Sequence, residues 1–136
     1  MTIEELSIGD WVYSLKSLLP VQIEAVYRNA ISDCVRVTDP HHHDGVIQFV
    51  ESVSPIPITV EILEKSGCEF LDDGNECRIF MCCDSFYARL DLGSDAWCIG
   101  IHNGDWHDKV IATVYHVHQL QHALTLAGID KAIQIR

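Results

Sequence analysis

The sequence predicts an α+β fold, in which an N-terminal small antiparallel sheet or SH3-like barrel is followed by a helix, an antiparallel β-meander and a C-terminal helix. Three observations lead there. Between residues 7 and 54, short runs of alternating apolar residues recur about every ten positions, the spacing of strands joined by tight turns. Pro55-Ile56-Pro57 then breaks the series, because proline holds the backbone extended and has no N–H to give to a ladder. Past that break, two segments carry apolar residues at helical rather than strand spacing.

The first strand is expected at Trp11, Tyr13 and Leu15, led in by a Gly9-Asp10 turn. Residues 20–27 alternate again, with Val21, Ile23 and Ala25 on one face and Gln22 and Glu24 on the other. Residues 34–37 and 46–53 continue the series, and four such strands suit a strongly bent sheet or an SH3-like barrel. Residues 38–45 read as a solvated hairpin loop whose Asp39-Pro40 and Asp44-Gly45 pairs make the turns. Its consecutive His41, His42 and His43 diverge in an extended chain, which makes them a poor ligand set. The chain thus divides into a strand-rich lobe at 1–54, a junction at 55–58 and an α+β lobe at 59–136.

Thr59 is placed to cap a helix over 59–66, with Glu61 and Glu64 near its positive end and Gly67 to stop it. Alternating runs at 77–82, 86–92 and 96–101 predict a three-stranded meander within 76–101, after a turn at 71–75. Residues 111–115 are a further strand or the approach to the last helix, and 132–135 resemble an edge strand. The last helix is expected over 115–127. Val117, Leu120, Leu124 and Ala127 share the side that should be buried, while His118, His122 and Thr125 follow one residue later and Gly128 ends the helix.

A chain of 136 residues with 48% hydrophobic content can build a real core. None of its apolar runs approaches the roughly 18–20 residues that span a bilayer, and its first residues lack the features of an export signal. The expected location is therefore cytoplasmic, with no membrane partner. The formal charge of -11 is spread along the chain: residues 1–58 carry three basic and eight acidic side chains, residues 59–136 six and twelve. No basic face can be assembled, which argues against direct nucleic-acid binding. The acidity keeps the protein soluble, or makes it a decoy for a basic site on another protein. Cys34, Cys68, Cys77, Cys82, Cys83 and Cys98 contain no Cys-x-x-Cys pair, so in a reducing compartment they read as small buried hydrophobes. Cys82 and Cys83 should point to opposite faces of a strand.

Chemistry is sparse. His118 and His122, at i and i+4, have a spacing that can hold a divalent metal, with His116 or His102 as a third nitrogen. Gln119, Leu120 and Gln121 lie between them, so the glutamate of a His-Glu-x-x-His protease helix is missing. A histidine and glutamine face that hydrogen-bonds to the sheet or a partner is the preferred reading. Ser85 and Ser94 lack a Gly-x-Ser-x-Gly elbow, and no glycine loop is built for phosphates. Asp105, Trp106, His107 and Asp108 form a polar loop that is a candidate ligand or partner surface, together with Gln119.

The order of three segments carries a resemblance: Ile8-Gly9-Asp10-Trp11-Val12-Tyr13, Pro55-Ile56-Pro57-Ile58-Thr59 followed by residues 62–67, and residues 117–124 with Ala127-Gly128-Ile129. The chain resembles a family of short uncharacterised proteins of Bacteroides prophages and other mobile elements; relatives tend to have Phe where Cys68 stands. The resemblance implies a phage-like origin and brings no cofactor or catalytic residue with it. The expected function is a non-enzymatic binding module that acts on a host or phage protein. The alternative is a metal- or histidine-dependent hydrolase using His116, His118 and His122.

Overall fold

The computed structural model describes residues 1–29, 31–71, 77–83, 86–102 and 109–135. Among these residues the chain is α+β, with two five-stranded antiparallel sheets and two α-helices. None of the described helices is long and apolar enough to cross a membrane. The chain divides into two compact units, residues 1–56 and 57–135.

In the first unit, β1 (Trp11–Ser14), β2 (Leu19–Tyr27), β3 (Cys34–Asp39), β4 (His42–Phe49) and β5 (Val53–Ser54) lie in the order β4-β3-β2-β1-β5. A 3-10 helix at Val50–Ser52 divides 46–53, which the sequence presents as one strand, and lets β5 return to β1. Ile3, Leu6, Val12, Val21, Ile23, Val35, Val37, Val50 and Val53 form the core. The alternation in β1 is as expected, but its buried face is Val12 and Ser14; Trp11 and Tyr13 are only half-buried and Leu15 is exposed.

In β2 the register slips between Ile23 and Ala25: Ile23 lies opposite Val37, but Ala25 lies opposite Arg36. This bulge carries Ala25 away from the face of Val21 and Ile23, where the sequence pattern puts it, and brings Val26 against the core instead. The β3–β4 hairpin turns at Pro40-His41, where the Asp39 carboxylate accepts the His41 N–H at 2.7 Å and lies 3.4 Å from His42 Nδ1. That backbone hydrogen bond, with the neighbouring His42, holds the Asp39 carboxyl below its ordinary range. The expected second turn at Asp44-Gly45 is instead part of β4, at an irregularity in the ladder.

The second unit runs α1 (Val60–Lys65), β6 (Glu69–Leu71), β7 (Cys77–Cys83), β8 (Phe86–Asp91), β9 (Trp97–Ile101), β10 (Val110–Val114) and α2 (Val117–Leu126). Its sheet follows chain order, so the expected three-stranded meander has five strands, with β6 and β10 at its edges. Thr59 caps α1 by accepting the Ile62 N–H at 3.2 Å. Both helices end alike. Gly67 and Gly128 take φ of 83° and 74°, a region costly for a residue with a Cβ. Their N–H groups reach Glu64 and Thr125, and those of Cys68 and Ile129 reach Leu63 and Leu124, which satisfies carbonyls the helix leaves open.

The buried side of α2 is Val117, Leu120, Ala123 and Leu124. Ala127, expected on that side, is exposed because the helix stops one residue earlier. Residues 132–135 are not a strand; Gln134 N–H donates to Ser66 Oγ at 2.8 Å and Ile133 is buried, so the tail is held at the end of α1. Within the sheet, Tyr87 lies opposite Gly100, and a Cβ there would come 2.6 Å from the tyrosine oxygen. Only glycine leaves room for the buried ring.

Candidate functional site

The start of α2 gathers the histidines singled out in the sequence. Pro57 bridges His116, and Ile58 N–H donates to the Tyr115 carbonyl at 3.2 Å, so the helix begins from a paired, extended segment. His116 is the N-cap residue. Gln119 Oε1 accepts the N–H groups of Tyr115 at 2.8 Å and His116 at 3.1 Å, which commits it to the helix start.

The His116 and His118 rings stack with centroids 5.9 Å apart and planes 9° from parallel. His118 and His122 meet edge to face, also at 5.9 Å. An imidazole binds a metal along a lone pair lying in its own ring plane. Two stacked, nearly parallel rings cannot both aim at one ion in that way. Among the described residues, no group of three or more His, Cys, Asp or Glu side chains is placed to hold a metal. His118 is buried, while His116 and His122 are half-buried. Asp105, Trp106, His107 and Asp108 lie outside the described residues, as does Ser85.

Beside His116 is a cleft of about 400 Å³, lined by Pro57, Ile58, Leu90, Ser94, Asp95, Trp97, Tyr115 and His116. Its walls are mainly apolar. Ser94 Oγ accepts the Ala96 N–H at 3.1 Å, so that hydroxyl closes the β8–β9 turn. The consecutive His42 and His43 sit in β4, and both are exposed.

A surface with no counterpart in the sequence reading lies in the first unit. On β2, β3 and β4 the cross-strand partners Tyr27, Cys34 and Phe49 form one row, and Ala25, Arg36 and Ile47 the next. Cross-strand partners share a face. The opposite face holds the core residues Val35 and Val37 with the buried Gln48, whose Oε1 accepts from Ser14 Oγ at 3.1 Å. Outside, Tyr27, Phe49 and Ile47 are 41%, 51% and 60% exposed. Arg36 steadies one side of this patch by donating to Tyr27 Oη at 3.3 Å and pairing with Glu24 at 3.3 Å. β4 forms one border of the sheet, and β3 is its neighbour there.

The sequence signal for this patch is apolar residues at both parities of 46–50, where Val46 and Val50 surround Ile47 and Phe49. No protein-family model, curated protein or solved structure gives a significant match to this chain.

Proposed function

We propose that this chain is a non-enzymatic protein-binding module, a phage-like or mobile-element accessory protein that acts in the cytoplasm on a host or phage protein. The observation that carries the reading is the outer face of β2–β3–β4, where Tyr27, Ile47 and Phe49 are exposed together beside the border strand β4. Clustered, exposed aromatic and aliphatic side chains are what a partner buries at the centre of an interface. A border strand also offers backbone groups to an incoming strand. The N-terminal unit is in this reading an SH3-like barrel; support comes from β1 to β4 in meander order, followed by a 3-10 helix and a β5 that pairs back with β1.

Charge defines the partner. With -11 on the chain, a complementary protein presents basic residues around an apolar centre, and attraction between the two speeds encounter at low ionic strength. Double replacement of Ile47 and Phe49 by glutamate leaves the core face of β4 untouched. Wild type and this variant are to be compared for capture of proteins from host lysate at low and high salt. A protein captured by wild type, less at high salt, and lost with the variant supports the proposal; capture that ignores the double replacement sinks it. Short duplex DNA should not bind to either, since each phosphate contact needs a cation that this chain rarely supplies.

A further inference from the structure

The second unit holds a pair of cysteines that the binding face does not use. Gly67 ends α1, and Cys68 N–H returns to the Leu63 carbonyl at 2.9 Å, which fixes Cys68 at the corner between α1 and β6. Glu69 of β6 pairs with Met81 of β7, so one step further along the two strands Cys68 meets Cys82. Their sulfurs are 2.9 Å apart, within about 1 Å of the roughly 2.05 Å of a disulfide bond. Both side chains are buried, Cys68 at 6% and Cys82 at 2% exposure. The Lys131 ammonium lies over the same corner, 3.4 Å from where a side chain on Gly67 would begin.

We propose that Cys68 and Cys82 are a redox-active dithiol, which a low-molecular-weight disulfide converts into an intramolecular disulfide tying the α1–β6 corner to β7. The two sulfurs have different roles. The hydrogen bond between the two thiols, against the effect of burial and with help from Lys131, lowers the pKa of Cys68. The same bond and burial raise that of Cys82. Cys68 is also the less buried of the two and stands next to Gly67, where the Lys131 ammonium lies, so it is the attacking thiolate.

Its sulfur attacks one sulfur of the oxidant R–S–S–R; the oxidant's bond breaks, one thiolate RS⁻ leaves and a Cys68–S–S–R mixed disulfide forms. Cys82 then loses its proton to the departed thiolate and attacks the Cys68 sulfur. The second RS⁻ leaves, takes up a proton from solvent, and the protein disulfide is complete. Two protein thiols are oxidised and one oxidant disulfide is reduced to two RSH. Cys83, the neighbour of Cys82, is exposed and takes no part.

The test uses the reduced full-length protein, oxidised glutathione as probe in a graded thiol–disulfide buffer, then alkylation under denaturing conditions, intact mass and peptide mapping. Of six free cysteines, four should remain alkylated after the first oxidation, with Cys68 and Cys82 joined in one cross-linked peptide. Equal labelling of Cys68, Cys82, Cys34 and Cys98 at every poise, or a first disulfide through Cys83, overturns the proposal. Lys131→Met is a second arm that leaves both thiols in place. Removing the ammonium raises the pKa of the attacking thiol, so the pH profile of disulfide formation should move to higher pH; an unmoved profile contradicts the role given to this corner.

Discussion

Phe80→Ala should lower the stability of the protein by about 3–5 kcal/mol, the cost of deleting a large buried ring whose surroundings only partly collapse. Phe80 is 1% exposed in the middle of β7. Its ring meets Phe70 of β6 at 5.3 Å and lies edge to face with Trp97 of β9 at 6.0 Å, so it joins three strands of the meander. Phe70→Ala serves as the comparison: the same chemical deletion, made at a half-exposed position on the sheet border, should cost well under half as much. Equilibrium denaturant unfolding followed by tryptophan fluorescence measures both. A Phe80→Ala loss below about 1 kcal/mol would show that the sheet does not depend on this ring.

Leu120→Ala is expected to cost about 2–5 kcal/mol by the same mechanism. Leu120 is fully buried on α2, one turn from Val117 and one turn from Leu124, both also buried. Thr125 lies on the exposed side of the same helix, so Thr125→Ala should change stability by less than about 0.5 kcal/mol. The contrast between the two faces separates a packed helix from one held only by its caps. Equal losses at Leu120 and Thr125 would contradict the packing assigned to α2.

What could be read from the sequence was mostly local chemistry. Thr59, Gly67 and Gly128 mark helix ends because caps are built from hydrogen bonds among a few consecutive residues. The pairing of His118 with His122 follows from helical spacing alone. The stacking of His116 on His118 depends on where the chain enters the helix, and that is set by a bridge to Pro57 nearly sixty residues earlier.

Strand faces were harder to read. Ile47 and Phe49 alternate with Gln48, and hydrophobicity alone would turn the two apolar residues inward. The observed choice is the reverse, because Ser14, 34 positions away, supplies the hydrogen bond that lets Gln48 be buried. Such a partner leaves no trace in the local pattern. The bulge in β2 acts similarly: one slipped pair moves Ala25 to the outer face, beside the residues that form the proposed contact surface. The thiol pair was hidden for the same reason, since Cys68 and Cys82 become neighbours only through the β6–β7 register.

Partners are expected to meet the outer face of β2–β3–β4. Amide hydrogen exchange of the captured complex against the free protein checks this contact, because exchange reports protection strand by strand. Slowed exchange is expected in β4, His42–Phe49, and in adjoining β3, with the rates of α2 unchanged. Protection confined to α2 and its histidines, with β4 exchanging as it does in the free protein, would contradict it.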